Sequence, residues 1–128
     1  MKPIGYWLNR TDQALTRYMD TMLGEFGLTR IAWQVLNVGK SDAEVLSVLS
    51  ANADAATLTA AIETVLSDGW AHRPAPGELA LTAEGAERLA VVAERVDAFR
   101  ELSMLGISRD DYRTAVQVLE RMARNLEG

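Results

Sequence analysis

Cysteine is absent from the 128 residues, which excludes disulfide frameworks, thiolate zinc sites, cysteine nucleophiles and thiol-based redox sensing. Histidine occurs once, at His72, so a metal would have only carboxylates as its other ligands, and no Ser, His and Asp constellation is available. There is no glycine-rich phosphate loop, no repeat of fixed period and no low-complexity tract. Met1 to Arg10 lacks an apolar run long enough for a secretory signal, and no segment approaches the roughly 18 uncharged apolar residues of a membrane span. The expectation is a cytoplasmic, non-enzymatic protein without cofactor, metal or membrane partner. Positive charge is also scarce: 13 Lys plus Arg face 18 Asp plus Glu, a net charge of -5 and the wrong sign for coating nucleic acid nonspecifically.

What is present is core-forming material. Apolar residues make up 48% of the chain, enough for one domain of this length to bury roughly two-thirds of the surface its unfolded chain exposes. Ile4, Trp7, Leu8, Leu15, Tyr18, Met19, Met22 and Phe26 recur at three- and four-residue intervals, which predicts an amphipathic helix over about Pro3 to Gly24. Thr29 offers a capping oxygen to a second helix with Ile31, Val35 and Val38 on one face, stopped by Gly39. Ser41-Asp42-Ala43-Glu44 reads as a capping box opening a short third helix that turns Val45, Leu46 and Leu49 inward. Asp54 caps a fourth, striped by Leu58, Ile62, Val65 and Leu66 and broken by Gly69.

From Trp70 the pattern changes. Trp70 to Arg73 and Glu78 to Leu81 read as two short strands around Pro74-Ala75-Pro76-Gly77. Thr82 caps a long helix with Leu89, Val92, Val96 and Phe99 on one side, running to about Leu105 before Gly106. Ser108 starts a last helix in which Tyr112, Val116, Leu119, Ala123 and Leu126 approach a heptad seam. Glu84 with Arg88 and Glu120 with Arg124 read as i, i+4 surface pairs.

Three compact helices followed by a two-stranded ribbon are the layout of a winged helix-turn-helix. The expected fold is therefore mainly α with a small β-hairpin wing. Within a single domain, the winged helix-turn-helix falls at about 28–82 and dimerisation helices at about 3–26 and 83–128. The first and last helices carry more apolar surface than a monomer with so short a hairpin can cover, so a homodimer is expected.

Four stretches, in order, carry a family resemblance. Gly27-Leu28-Thr29 with Ala32-Trp33-Gln34-Val35-Leu36 is similar to the start of the second helix in the MarR family of bacterial transcriptional regulators. Ala53-Asp54-Ala55-Ala56-Thr57-Leu58-Thr59 resembles the start of that family's recognition helix, and Asp68-Gly69-Trp70-Ala71-His72-Arg73-Pro74 resembles its exit into the wing. Leu81-Thr82-Ala83-Glu84-Gly85 resembles the opening of the long helix that follows the wing. The resemblance spans essentially the whole chain. It implies a dimer body made of the first, fifth and sixth helices, with recognition helices offered to the major groove of a pseudo-palindromic operator. It also implies a crevice between body and winged helix for a small aromatic or phenolic ligand, for which Trp7, Arg10, Tyr18, Trp33 and Met104 are the candidates, Arg10 neutralising a carboxylate.

The chain departs from the family pattern twice. Ala60 stands where the family commonly has an arginine after the position of Thr59, and Ala75-Pro76-Gly77-Glu78 is a shorter wing tip without a cation. On a helical wheel Ala56, Thr57, Ala60, Glu63, Thr64 and Ser67 face away from the apolar stripe, and none is basic. Between Lys40 and Arg73 lie Asp42, Glu44, Asp54, Glu63 and Asp68, and no Lys or Arg. The groups left to hold double-stranded DNA are Arg30, Lys40, Ser41, Thr57, Thr59 and Arg73, with the amides at the starts of helices three and four. Weak or narrowly specific DNA binding is expected. The alternative is a MarR-like dimer that has lost DNA binding and serves as a ligand- or protein-interaction module. Thr57 and Thr59 read equally as helix-start residues bonding locally, Arg73 as a solvated strand-end charge, and Trp7 and Trp33 as core.

Overall fold

The computed structural model describes all 128 residues. In chain order the elements are α1 (Ile4–Gly24), α2 (Arg30–Val38), α3 (Asp42–Val48), α4 (Ala55–Ser67), β1 (Ala71–His72), β2 (Ala80–Leu81), α5 (Ala83–Ser103) and α6 (Arg109–Glu127). This is the mainly helical fold with a two-stranded wing that the patterning predicts. The chain forms two compact units, residues 1–95 and 96–128, with the boundary inside α5.

In the first unit the helix starts are set by side-chain oxygens three residues ahead of an unpaired amide. Thr29 accepts from the Ala32 N–H at 3.1 Å, Ser41 from Glu44 at 3.1 Å and Asp54 from Thr57 at 2.8 Å. Each satisfies one of the four orphan donors at a helix N-terminus. At the far end of α4, Gly69 adopts φ +80, which lets the Trp70 N–H reach back to the Val65 carbonyl at 3.0 Å. A residue with a Cβ would be strained there, and the closure delivers Trp70 into the core, where it is 1% exposed. Met22, Leu23, Val35, Val45, Leu58, Ile62, Val65 and Val92 are the other deeply buried side chains.

Leu46 does not turn inward as expected: α3 buries Val45 and, four residues on, its C-cap Leu49, and leaves Leu46 and Val48 exposed. A helix with two buried positions four residues apart has a narrow inner stripe, and Leu46 lies about 100° around from Val45, outside it.

The wing is also shorter than expected. β1 and β2 pair antiparallel with Ala71 opposite Leu81 and His72 opposite Ala80. Below them the return limb leaves its hairpin partner and pairs with the segment before α3. Ser41 and Glu78 form a bridge, the Leu79 N–H donates to the Lys40 carbonyl at 2.8 Å, and the Asp42 N–H donates to Gly77 O at 3.0 Å. The backbone groups expected to extend the hairpin are thus satisfied by a third segment.

Thr82 joins the wing to α5. Its N–H donates to Trp70 O at 3.0 Å, its hydroxyl donates to Gly69 O at 2.6 Å, and the same oxygen accepts from the Gly85 N–H at 2.8 Å. Arg88 follows one turn later. It forms no pair with Glu84; its guanidinium lies 3.9 Å from the Trp70 ring centre and donates to Phe26 O at 3.3 Å. A cation on an indole face with a carbonyl acceptor outcompetes an exposed i, i+4 pair worth a few tenths of a kcal/mol. Arg95 pairs with Glu25 at 2.9 Å, so α5 is fastened at both points to the turn between α1 and α2.

In the second unit Val96 is buried and Phe99 half-buried. Ser108 caps α6 by accepting from the Asp111 N–H at 3.0 Å, and the expected Glu120–Arg124 ion pair forms. α6 buries no residue, leaving Tyr112, Val116, Val118, Met122 and Leu126 exposed. In α1, similarly, only Met19, Met22 and Leu23 are buried, while Ile4, Trp7, Leu8, Leu15 and Tyr18 are exposed. No helix is long and apolar enough to cross a membrane.

Candidate nucleic-acid interface

The face of α4 turned to solvent is the one the helical wheel selects. Ala56, Thr57, Ala60, Glu63, Thr64 and Ser67 are all exposed, and the stripe behind them, Leu58, Ile62 and Val65, is in the core. Several polar groups on this face are already committed. The Thr57 hydroxyl and N–H both bond Asp54 and hold its carboxyl below the usual carboxylate range. The Thr64 hydroxyl donates to Ala60 O at 3.0 Å. Thr59 is exposed and its hydroxyl makes no bond within the chain.

The remaining candidates divide in the same way. Arg30 is exposed on the first turn of α2, and Lys40 is exposed with only its carbonyl engaged by the wing. Ser41 is half-buried and its oxygen is taken by the cap of α3. Arg73, the one cation at the wing, makes a two-pronged pair with Asp42: Nη1 to Oδ1 at 2.8 Å and Nη2 to Oδ2 at 3.0 Å. Nη1 also donates to Glu78 O at 3.4 Å. The hydrogen bond to Asp42 strengthens the guanidinium's hold on its proton. Of the six candidates, Arg30, Lys40 and Thr59 keep side-chain donors free. Residues 41–72 hold five acids and no Lys or Arg, equal to the whole net charge of -5.

Among the ligand candidates of the first unit, the cleft that Tyr18 lines holds none of Trp7, Arg10 and Trp33. Trp7 and Arg10 meet on the outer surface of α1, with the guanidinium carbon 5.3 Å from the indole centre and Tyr6 edge-on to Trp7 at 5.0 Å. Trp7 is 47% exposed, so the core reading does not apply to it. Tyr18 lies eleven residues further along, about 16 Å at 1.5 Å per residue. There it lines a cleft of about 430 Å³ with Ala14, Arg17, Thr21, Met22, Glu25 and Arg95. Trp33 is half-buried on α2, its carbonyl accepting from Asn37 at 2.9 Å. Met104 belongs to the second unit, where it lines a separate cleft of about 350 Å³ with Arg109, Tyr112, Arg113, Val116 and Gln117. Ala14, Thr21, Met22 and Glu25 stand four before and three, four and seven after Tyr18, so helical spacing marks them, with Arg17 adjacent; Arg95, far along the chain, carries no such mark.

A compact helical triad, a wing anchored beside the third segment and an outward second helix of the turn define a winged helix-turn-helix protein. Comparison with solved structures narrows the class: the chain has the fold of the MarR family of transcriptional regulators. MarR from E. coli in its reduced form matches with 23% identity over 95% of this chain and 94% of that one, at a TM-score of 0.68. BpsR of Bordetella bronchiseptica, whose DNA binding is regulated by 6-hydroxynicotinic acid, matches with 17% identity over 95% and 94%, at 0.70. A MarR family protein of Mycobacterium tuberculosis in complex with p-aminosalicylic acid matches with 22% identity over 95% and 99%, at 0.65. No family model and no curated protein matches the sequence.

Proposed function

We propose that the protein is a MarR-type transcriptional regulator that acts in the cytoplasm as a homodimer, each copy offering α4 to the major groove of one half of a pseudo-palindromic operator. The observation that carries this reading is the fully exposed outer face of α4, presented by a winged unit whose fold matches such regulators over about 95% of the chain. Contacts would come from Arg30, Lys40, Thr59 and backbone amides, with Thr57 secondary because Asp54 already holds it. With so few free cations, counterion release is small and affinity is low.

The cleft around Tyr18 supports release by a small aromatic or phenolic anion. Its volume of about 430 Å³ falls within the range of ligand sites, and Arg17 supplies positive charge beside the apolar Ala14 and Met22, while Arg95 in the same lining is paired with Glu25. A ligand that prefers the dimer form with badly spaced reading heads lowers operator affinity by its differential affinity for that form.

The test is selection from a genomic fragment library at about 50 mM salt. The expected result is recovery of a limited fragment set, bound less tightly as salt rises and less tightly by Thr59→Ala. In the same assay Ala60→Arg is expected to raise affinity about tenfold and to steepen the dependence of log K on log salt by about 0.9, one added phosphate contact. Recovery of no fragment by either protein selects the second reading, a dimeric interaction module. The acid-only stretch at residues 41–72 and the occupied Arg73 favour that reading.

A further inference from the structure

We infer that Asp42 is an intramolecular occupant of the phosphate-binding fork of Arg73, a latch that must open before the wing can engage a nucleic-acid backbone. The inference rests on the DNA-reading proposal for its biological meaning but not for its geometry. A guanidinium takes a phosphate through two parallel N–H···O bonds, and Asp42 presents two oxygens to Arg73 in that arrangement, at 2.8 and 3.0 Å. The same residue also fastens the wing tip, because its N–H donates to Gly77 O at 3.0 Å. One position on α3 thus holds both the wing's cation and its turn.

The latch is built to open. The two side chains are 34% and 38% exposed, so water and salt reach the pair, and the backbone of a docked duplex, held by its other contacts, can displace Asp42 where free phosphate in solution does not. Once displaced, the Asp42 carboxylate stays beside the incoming phosphate and repels it. Residues 41–72 supply no Lys or Arg to offset that charge. The pair therefore lowers affinity in two ways: it occupies a donor, and it leaves an unpaired acid in the interface.

Two measurements test this. The first titrates inorganic phosphate into isotopically labelled full-length protein and follows the Arg73 Nε–H resonance. It is expected to move in Asp42→Asn and in Asp42→Ser, and to stay in place in the parent and in Glu44→Gln. Glu44→Gln removes an equal charge from the same helix without freeing Arg73. Equal movement in parent and Asp42→Asn overturns the latch. The second measures binding to a labelled mixed-sequence duplex at about 50 mM salt. Asp42→Asn is expected to bind about tenfold tighter with a salt slope steeper by about 0.9, Glu44→Gln no more than about threefold tighter, and Asp42→Asn combined with Arg73→Gln no more than about threefold tighter than Arg73→Gln alone, the part owed to the acid's repulsion. A full tenfold gain that survives in the double variant, or a Glu44→Gln gain equal to that of Asp42→Asn, reduces Asp42 to bulk charge and overturns the proposal. If phosphate moves Arg73 only in the Asp42 variants while no variant binds the duplex, the latch stands and the DNA-reading function fails.

Discussion

Replacing Gly85 by alanine is expected to destabilise the protein by about 3 kcal/mol or more, at the upper end of what overpacking does. A Cβ at this position would lie 2.0 Å from Trp70 O, 2.7 Å from its carbonyl carbon and 2.9 Å from its Cα. None of these atoms is free to retreat. Trp70 O accepts from the Thr82 N–H, the Trp70 N–H is held by Val65, and the indole is 1% exposed with Arg88 on its face. The first turn of α5 therefore crosses the exit of α4 at backbone contact distance. Thermal unfolding followed by circular dichroism is expected to show a midpoint lowered by more than about 10 °C, or no cooperative transition. A loss of only a degree or two would mean that the crossing relaxes, and would refute the close-approach argument.

The second large effect is expected at Val116. α6 has an apolar seam with nothing buried, and such a surface is covered economically by a second copy. In a two-fold interface one substitution acts twice, so Val116→Glu places two carboxylates in the seam. Each buried apolar side chain of this size contributes about 1.5–3 kcal/mol, so the substitution is expected to weaken dimerisation at least 100-fold, about 2.7 kcal/mol. Light scattering at tens of micromolar is expected to give a dimer for the parent and a monomer for Val116→Glu. A monomeric parent would remove the dimer from the proposed function. An unchanged dimer in the variant would move the seam elsewhere, with α1 and its exposed Trp7, Leu8 and Leu15 the next face to test.

How much of this was legible in the sequence depends on how far apart the interacting groups lie. Thr29, Ser41, Asp54 and Ser108 could be assigned as caps because each accepts from an amide three residues on, so the chemistry is complete within one turn. Gly69 was readable as a helix end for the same reason. Thr82 was readable as a cap, but its bond to Gly69 O, 13 residues away, was not. Arg88 meets the Phe26 carbonyl 62 residues away and the Trp70 ring 18 away, Arg73 meets Asp42 31 away, and in both cases a local rule pointed elsewhere. Arg88 left Glu84 for an aromatic face created by the fold, and Arg73 left solvent for a carboxylate that the wing's return brings alongside. Exposure of the α4 face was predictable from periodicity. Aromatic character alone carries no information about which side chains share a cleft, and the cleft lined by Tyr18 includes no other ligand candidate.

The folded-back wing sets the span of DNA that the dimer would cover. With strands of two residues each and the turn at Gly77 bonded to Asp42, the ribbon has neither the length nor the cations to enter a flanking minor groove. Protection in a footprint would then stop at the two major-groove half-sites, about 34–36 Å apart centre to centre. The A·T content outside them, which a longer basic wing would sense through groove width, would have no influence on the choice of operator.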